Sequence, residues 1–256
     1  MLEKRKRFIN VVKANASFLV IYEILTAASV VGYLMFALRS FRIAGVQECT
    51  EDLFIIMSDP YVVALFQTPL FLLLLTLIFR NDKRVQAVIR TRSRSVLFRK
   101  MTGKMIAADL FFAVHIAAWI GVTALLSKSA DWNWSEKYSL YWSQCGYAVY
   151  SGEPVGIGKV LVVFVVTEML IFGVVGILFV FLRYFTSNYL LAWVIGESLV
   201  IYNWRGRIDQ KLIIDWNIWR MPEVWMRDVC MALLFIGIVF VAANMLSERK
   251  EFLNEK

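Results

Sequence analysis

Six stretches of the chain are apolar almost without interruption: 18–38, 61–79, 105–126, 160–182, 189–203 and 229–246. A helix needs about 20 mainly apolar residues to cross the hydrocarbon core of a bilayer, so the pattern predicts six transmembrane helices. The fifth is short, fifteen residues with Glu197 inside it. The expected fold class is an all-α integral membrane protein. No repeat, low-complexity tract or linker divides the chain, which predicts one membrane domain over 1–256.

A second pattern lies between the spans. In the segment 80–104, Val85, Val88, Ile89 and Val96 recur at offsets of three, four and seven, near the helical period. Arg84, Arg90, Arg92 and Arg94 fill much of the remainder. This predicts an amphipathic helix over 83–101 that stops near Gly103, a residue at which helices commonly end. At the start of the chain Phe8, Ile9, Val12 and Phe18 stand among five basic residues. That spacing suits a helix in the headgroup layer, with a plain basic tail as the alternative. After the fifth span, Ile208, Leu212, Trp216 and Trp219 fit one helical face and Pro222 provides a stop. A short fifth helix followed by such a segment predicts a re-entrant or interfacial helix on the outer side. Backbone at that depth is tolerated where protein or a wet cavity covers it, which makes Trp216 and Trp219 candidate wall residues of a passage.

Composition agrees with the pattern: 59% of residues are hydrophobic and the mean hydropathy is +0.62, too apolar for a soluble domain of 256 residues. The charge of +8 orients the spans. With both termini cytoplasmic, 18 Lys and Arg fall inside and ten outside, which accounts for all 28 and follows the retention of positive loops in the cytoplasm. The first apolar run is longer than the core of a secretory leader and no small-residue cleavage site follows it, so it is expected to be a retained helix. Seven of the nine Trp (132, 134, 142, 204, 216, 219 and 225) then lie outside, where indole rings settle at headgroup depth. Cys49 and Cys145 share the exterior, and their pairing is left open. Cys230 lies at the mouth of the sixth span.

Candidate chemistry is sparse. The one histidine, His115, follows Asp109 by six residues, which is not one helical face. No HExxH, GxSxG or cysteine cluster occurs. The run GEPVGIGKV has Glu153 and Val160 where a phosphate loop needs Gly and Ser or Thr. The chain is therefore expected to carry no catalytic residue, metal or cofactor. Four carboxylates fall within spans: Glu23, Asp109, Glu168 and Glu197. Intramembrane acids usually face a bundle interior or a wet cavity. Position explains the first three, while Glu197 is expected to line a passage or to brace the hairpin.

Six spans, both ends inside, one long basic loop between spans two and three and a Trp-rich element between spans five and six together resemble the membrane subunit of a bacterial ATP-binding-cassette exporter of the type-two permease family. The loop text VIRTRSRSVLFRKMTGK is similar to the basic segment of small permeases in bacteriocin-immunity and peptide-export systems. The resemblance implies that 83–101, with Val85, Val88, Ile89, Arg90, Arg92, Arg94 and Val96, is a coupling helix that docks on a separate ATPase dimer. ATP and Mg would then be held by that partner. It also implies a second permease copy or a homologous permease, a multi-pass place in the bacterial cell membrane, and an amphipathic substrate such as a peptide, antimicrobial, lipid or drug. Glu197 is not demanded by the family pattern. Two other classes compete: an intramembrane enzyme using His115, Asp109 and Glu168, and a membrane scaffold or sensor whose basic loop binds anionic lipid or RNA. Nucleic acid is disfavoured, because stacking aromatics are missing from the loop apart from Phe98.

Overall fold

The computed structural model describes residues 2–80, 94–129, 131–186, 188–205, 216–219 and 222–253. Its helices are α1 (Leu2–Ile43), α2 (Thr50–Met57), α3 (Pro60–Phe79), α4 (Arg94–Ser127), α5 (Leu140–Gln144), α6 (Ile157–Thr186), α7 (Tyr189–Arg205) and α8 (Pro222–Leu253). No strand occurs among the described residues, only an isolated bridge between Gln47 and Ser139. Five helices are long and apolar enough to cross a membrane: α1, α3, α4, α6 and α8. The chain is accordingly an all-helical, multi-pass membrane protein. At 17 residues, α7 rises about 25 Å, short of the ~30 Å hydrocarbon core.

The centre of the bundle is aromatic. Phe71 on α3, Phe112 on α4 and Phe172 on α6 are fully buried, with ring centroids 4.9–5.4 Å apart. Helices α4 and α6 approach closely because α6 offers Gly176: a Cβ there would stand 2.7 Å from Met105 Sδ. Without a hydrophobic drive between helices in lipid, such small residues admit the packing that holds a bundle together. Helix α3 widens into a π turn over Val63–Gln67. Pro69 has no N–H to give back along the helix, and the Thr68 hydroxyl donates to the Val63 carbonyl at 2.8 Å. The hairpin from α6 to α7 is tight because Asn188 caps α7, its Oδ1 accepting from Leu190 N at 2.9 Å.

Three expectations are corrected. The basic amphipathic helix does not end at Gly103: α4 runs unbroken from Arg94 through Gly103 to Ser127. A mid-helix glycine costs only about 1 kcal/mol, and the buried row of Phe98, Met101 and Met105 outweighs it. Val85, Val88, Ile89, Arg90 and Arg92 lie outside the described residues. Pro222 does not stop a helix but opens α8, at the first turn, where its missing N–H has no helical partner to lose. Trp225 thus belongs to the last span, and Trp216–Trp219 form a 3₁₀ turn; the rest of the expected amphipathic segment, 206–215 and 220–221, lies outside the described residues. Finally, Trp134 is not a headgroup anchor, since it is fully buried in protein.

What Trp134 covers is an element absent from the sequence reading. Helix α2 lies between α1 and α3 in the chain and packs on α6, α4 and α1, and Glu51 through Met57 are all buried. Its first turn is held by Asp52, whose Oδ2 accepts from Cys49 N at 2.9 Å and whose Oδ1 accepts from Trp134 Nε1 at 2.8 Å. Its far end is met by Gln67, which donates from Nε2 to the Met57 carbonyl at 2.8 Å. Phe54 packs edge-on against Phe164, with centroids 5.3 Å apart. The rings of Trp132, Trp134, Tyr141 and Tyr150 close over this helix. Cys49 and Cys145 are both free thiols. Burial, reinforced by the acids Asp52 and Glu51, pushes the Cys49 thiol well above its ordinary range, which keeps it protonated and unreactive.

Candidate functional site

Inside an apolar bundle the polar side chains mark where chemistry or transport takes place. Helix α4 carries two of them on different faces. Asp109 is 3% exposed, and its Oδ2 would be 3.4 Å from a Cβ on Gly173 of α6. Its nearest acidic neighbour is Glu168, also on α6 and wholly buried. The Ser58 hydroxyl, just past the end of α2, faces Glu168 but donates to the Phe54 carbonyl at 3.1 Å. Both Glu168 oxygens and Asp109 Oδ1 are therefore without a hydrogen-bond donor. A buried polar atom with no partner costs about 1–3 kcal/mol, and three occur together at the contact of α2, α4 and α6.

On another face of α4, His115 Nε2 lies 2.7 Å from Glu23 Oε2 of α1. Phe111 stacks on the imidazole, with centroids 5.3 Å apart. The histidine side chain is 15% exposed but that of Glu23 is 51% exposed, an acid turned outward from a span. His115 is thus engaged by Glu23 while Asp109 faces Glu168. The acid and base groups that an intramembrane enzyme would need are split between two helix contacts.

Glu197 is half-buried on α7, and its Oε2 has no donor. The adjacent Gly196 lies against Leu72 of α3 and Val175 of α6, at 3.4 and 3.5 Å from a Cβ placed there. Below it, Trp193 Nε1 donates to Thr76 Oγ1 at 3.0 Å and the Tyr189 hydroxyl donates to the Phe79 carbonyl at 2.8 Å. Helix α7 is therefore fastened to α3 and α6 with Glu197 beside the seam. Trp219 belongs elsewhere: it packs on Trp134 at 6.1 Å, under the ammonium of Lys159 at 5.7 Å. Trp216 opens the same 3₁₀ turn. Trp219 sits by the aromatic cap, and its contacts do not overlap with those around Glu197.

Of the residues expected in the coupling helix, Arg94 opens α4 and Val96 is 39% exposed on its first turns. One rigid helix of 34 residues thus joins the end of the basic loop to Asp109 and His115. The pairing of Asp109 with Glu168 was not visible in the sequence, because it needs the register of α4 on α6. Comparison of the chain with protein-family models, curated proteins and solved structures finds no match.

Proposed function

We propose that this chain is the membrane-spanning subunit of a bacterial ATP-driven exporter for an amphipathic substrate, with ATP and Mg held by a separate ATPase dimer under the basic loop. The observation that carries this reading is the continuity of α4, from Arg94 at the loop to Ser127. A helix of this length transmits a push at its end, whereas a helix that stopped at Gly103 would absorb it in a hinge.

In this reading both termini and the loop 80–104 are cytoplasmic, α7 serves as the short fifth of six spans, and Trp216–Trp219 borders the outer mouth. Closure of the ATPases on ATP would move the loop and with it α4. The displacement would reach the contact where Asp109 lies over Gly173 and Phe112 meets Phe172. Packed interfaces switch between discrete arrangements instead of deforming smoothly, so this contact is where access would change. The unsatisfied carboxyls of Asp109 and Glu168 then serve as polar groups that meet water or the polar part of the substrate when the contact opens. The half-exposed Glu23 on the outward face of α1 fits a second permease packed against that helix.

The test is photo-crosslinking in membranes of the source cell, with a photoreactive residue in place of Ile89. The expected product joins this chain to a protein whose sequence contains GxxxxGK[ST]. Crosslinks to lipid alone, or to proteins without that motif, would refute the proposal.

A further inference from the structure

The tryptophan-rich end of α1 carries a cleft of about 660 Å³ that none of the preceding chemistry uses. Leu38, 2% exposed, lines it together with the exposed Met35 and Phe36. One turn further along the helix stands Arg39, and one turn beyond that Arg42. The two guanidinium groups differ in their surroundings. Arg42 is ion-paired with Glu48, its Nε 2.7 Å from Oε1, and also donates to the Ser127 carbonyl at 3.0 Å. Arg39 is exposed and has no side-chain partner among the described residues.

We infer that this cleft binds a glycerophospholipid with an anionic headgroup, its phosphate on Arg39 and an acyl chain along Met35 and Phe36. Two arguments lead there. Arg39 follows directly on the apolar stretch of α1, so apolar surface and cation succeed each other along the cleft as acyl chain and phosphate do along a lipid. In addition, the neighbouring Arg42 charge is already neutralised by Glu48, so the recognition falls to one group. A planar guanidinium binds phosphate through two parallel hydrogen bonds, and an anionic headgroup adds net charge complementarity that a zwitterionic one lacks. The inference does not depend on the transport reading, because it concerns the lipid-facing side of α1 and not the α4–α6 contact.

The test is native mass spectrometry of the full chain released from micelles containing equal phosphatidylglycerol and phosphatidylcholine. The wild-type chain is expected to retain phosphatidylglycerol preferentially. Arg39→Gln is expected to lower that preference about fivefold, the effect of one cation at a lipid surface. Arg39→Lys should restore part of it, while Lys137→Gln, an exposed cation elsewhere on the same end, should leave it unchanged. No preference in the wild-type chain, an unchanged preference in Arg39→Gln, or an equal loss in Lys137→Gln would each overturn the site. So would loss of both lipids together in Arg39→Gln, since the cleft would then not recognise charge.

Discussion

Replacing Trp134 with alanine is expected to destabilise the protein by about 3–5 kcal/mol, the range for deleting a large aromatic from a packed interior. The indole is fully buried. It stacks on Tyr141 at 5.4 Å, meets Tyr150 edge-on at 5.8 Å and packs on Trp219 at 6.1 Å. Its N–H donates to the buried Asp52 carboxylate at 2.8 Å, so the substitution also takes a hydrogen bond from a buried acid. Trp134→Phe separates the two contributions: it keeps most of the ring and is expected to lose about 1–3 kcal/mol for the hydrogen bond removed from a buried carboxylate. Denaturant unfolding in micelles, followed by tryptophan fluorescence and circular dichroism, measures both. A loss below about 1 kcal/mol for the alanine variant would mean that the cap does not hold α2 in place.

The second large effect has opposite signs in stability and in function. Glu168→Leu removes a buried carboxyl whose two oxygens have no donor and replaces it with an apolar side chain in an apolar surround. Stability is expected to rise by about 1–3 kcal/mol. If Glu168 serves the passage, the ATP turnover that the chain stimulates in its partner should fall about tenfold or more, the usual exchange of activity for stability at a functional site. Thermal unfolding together with ATP turnover checks both halves. A variant that gains stability and keeps full turnover would remove Glu168 from the site, and one that loses stability would show that its carboxyl is well satisfied.

The five long spans were legible in the sequence because a bilayer imposes a length and a polarity on each of them separately. The features that build the candidate site were not, since each depends on a neighbour distant in sequence. Residues 50–57 read as part of an outer loop: eight residues are too few for a helical period to stand out, and Glu51 and Asp52 look solvated. They are buried in the fold, where Trp134, 82 residues away, supplies Asp52 with a donor. Trp134 was read as an anchor for the same reason, as nothing local separates an indole facing lipid from one facing a carboxylate. Gly103 and Pro222 carried their usual meanings as stops; packing of the neighbouring residues overrode the first, and the second opens a helix. Glu197 did stand out as an acid with no local explanation, and its Oε2 has no donor. Glu168 did not, because its position near the end of a predicted span seemed to account for it.

The central claim is that the basic loop drives this chain from a separate ATPase, and ATP turnover in vesicles tests it most directly. The ATPase recovered through Ile89 would be reconstituted with the wild-type chain or with the variant Arg90→Glu, Arg92→Glu, Arg94→Glu. The account predicts that the wild-type chain stimulates turnover and that the reversed loop abolishes about nine-tenths of the stimulation, as three inverted charges at a docking surface would, with helix content unchanged. Equal stimulation by both chains would contradict it.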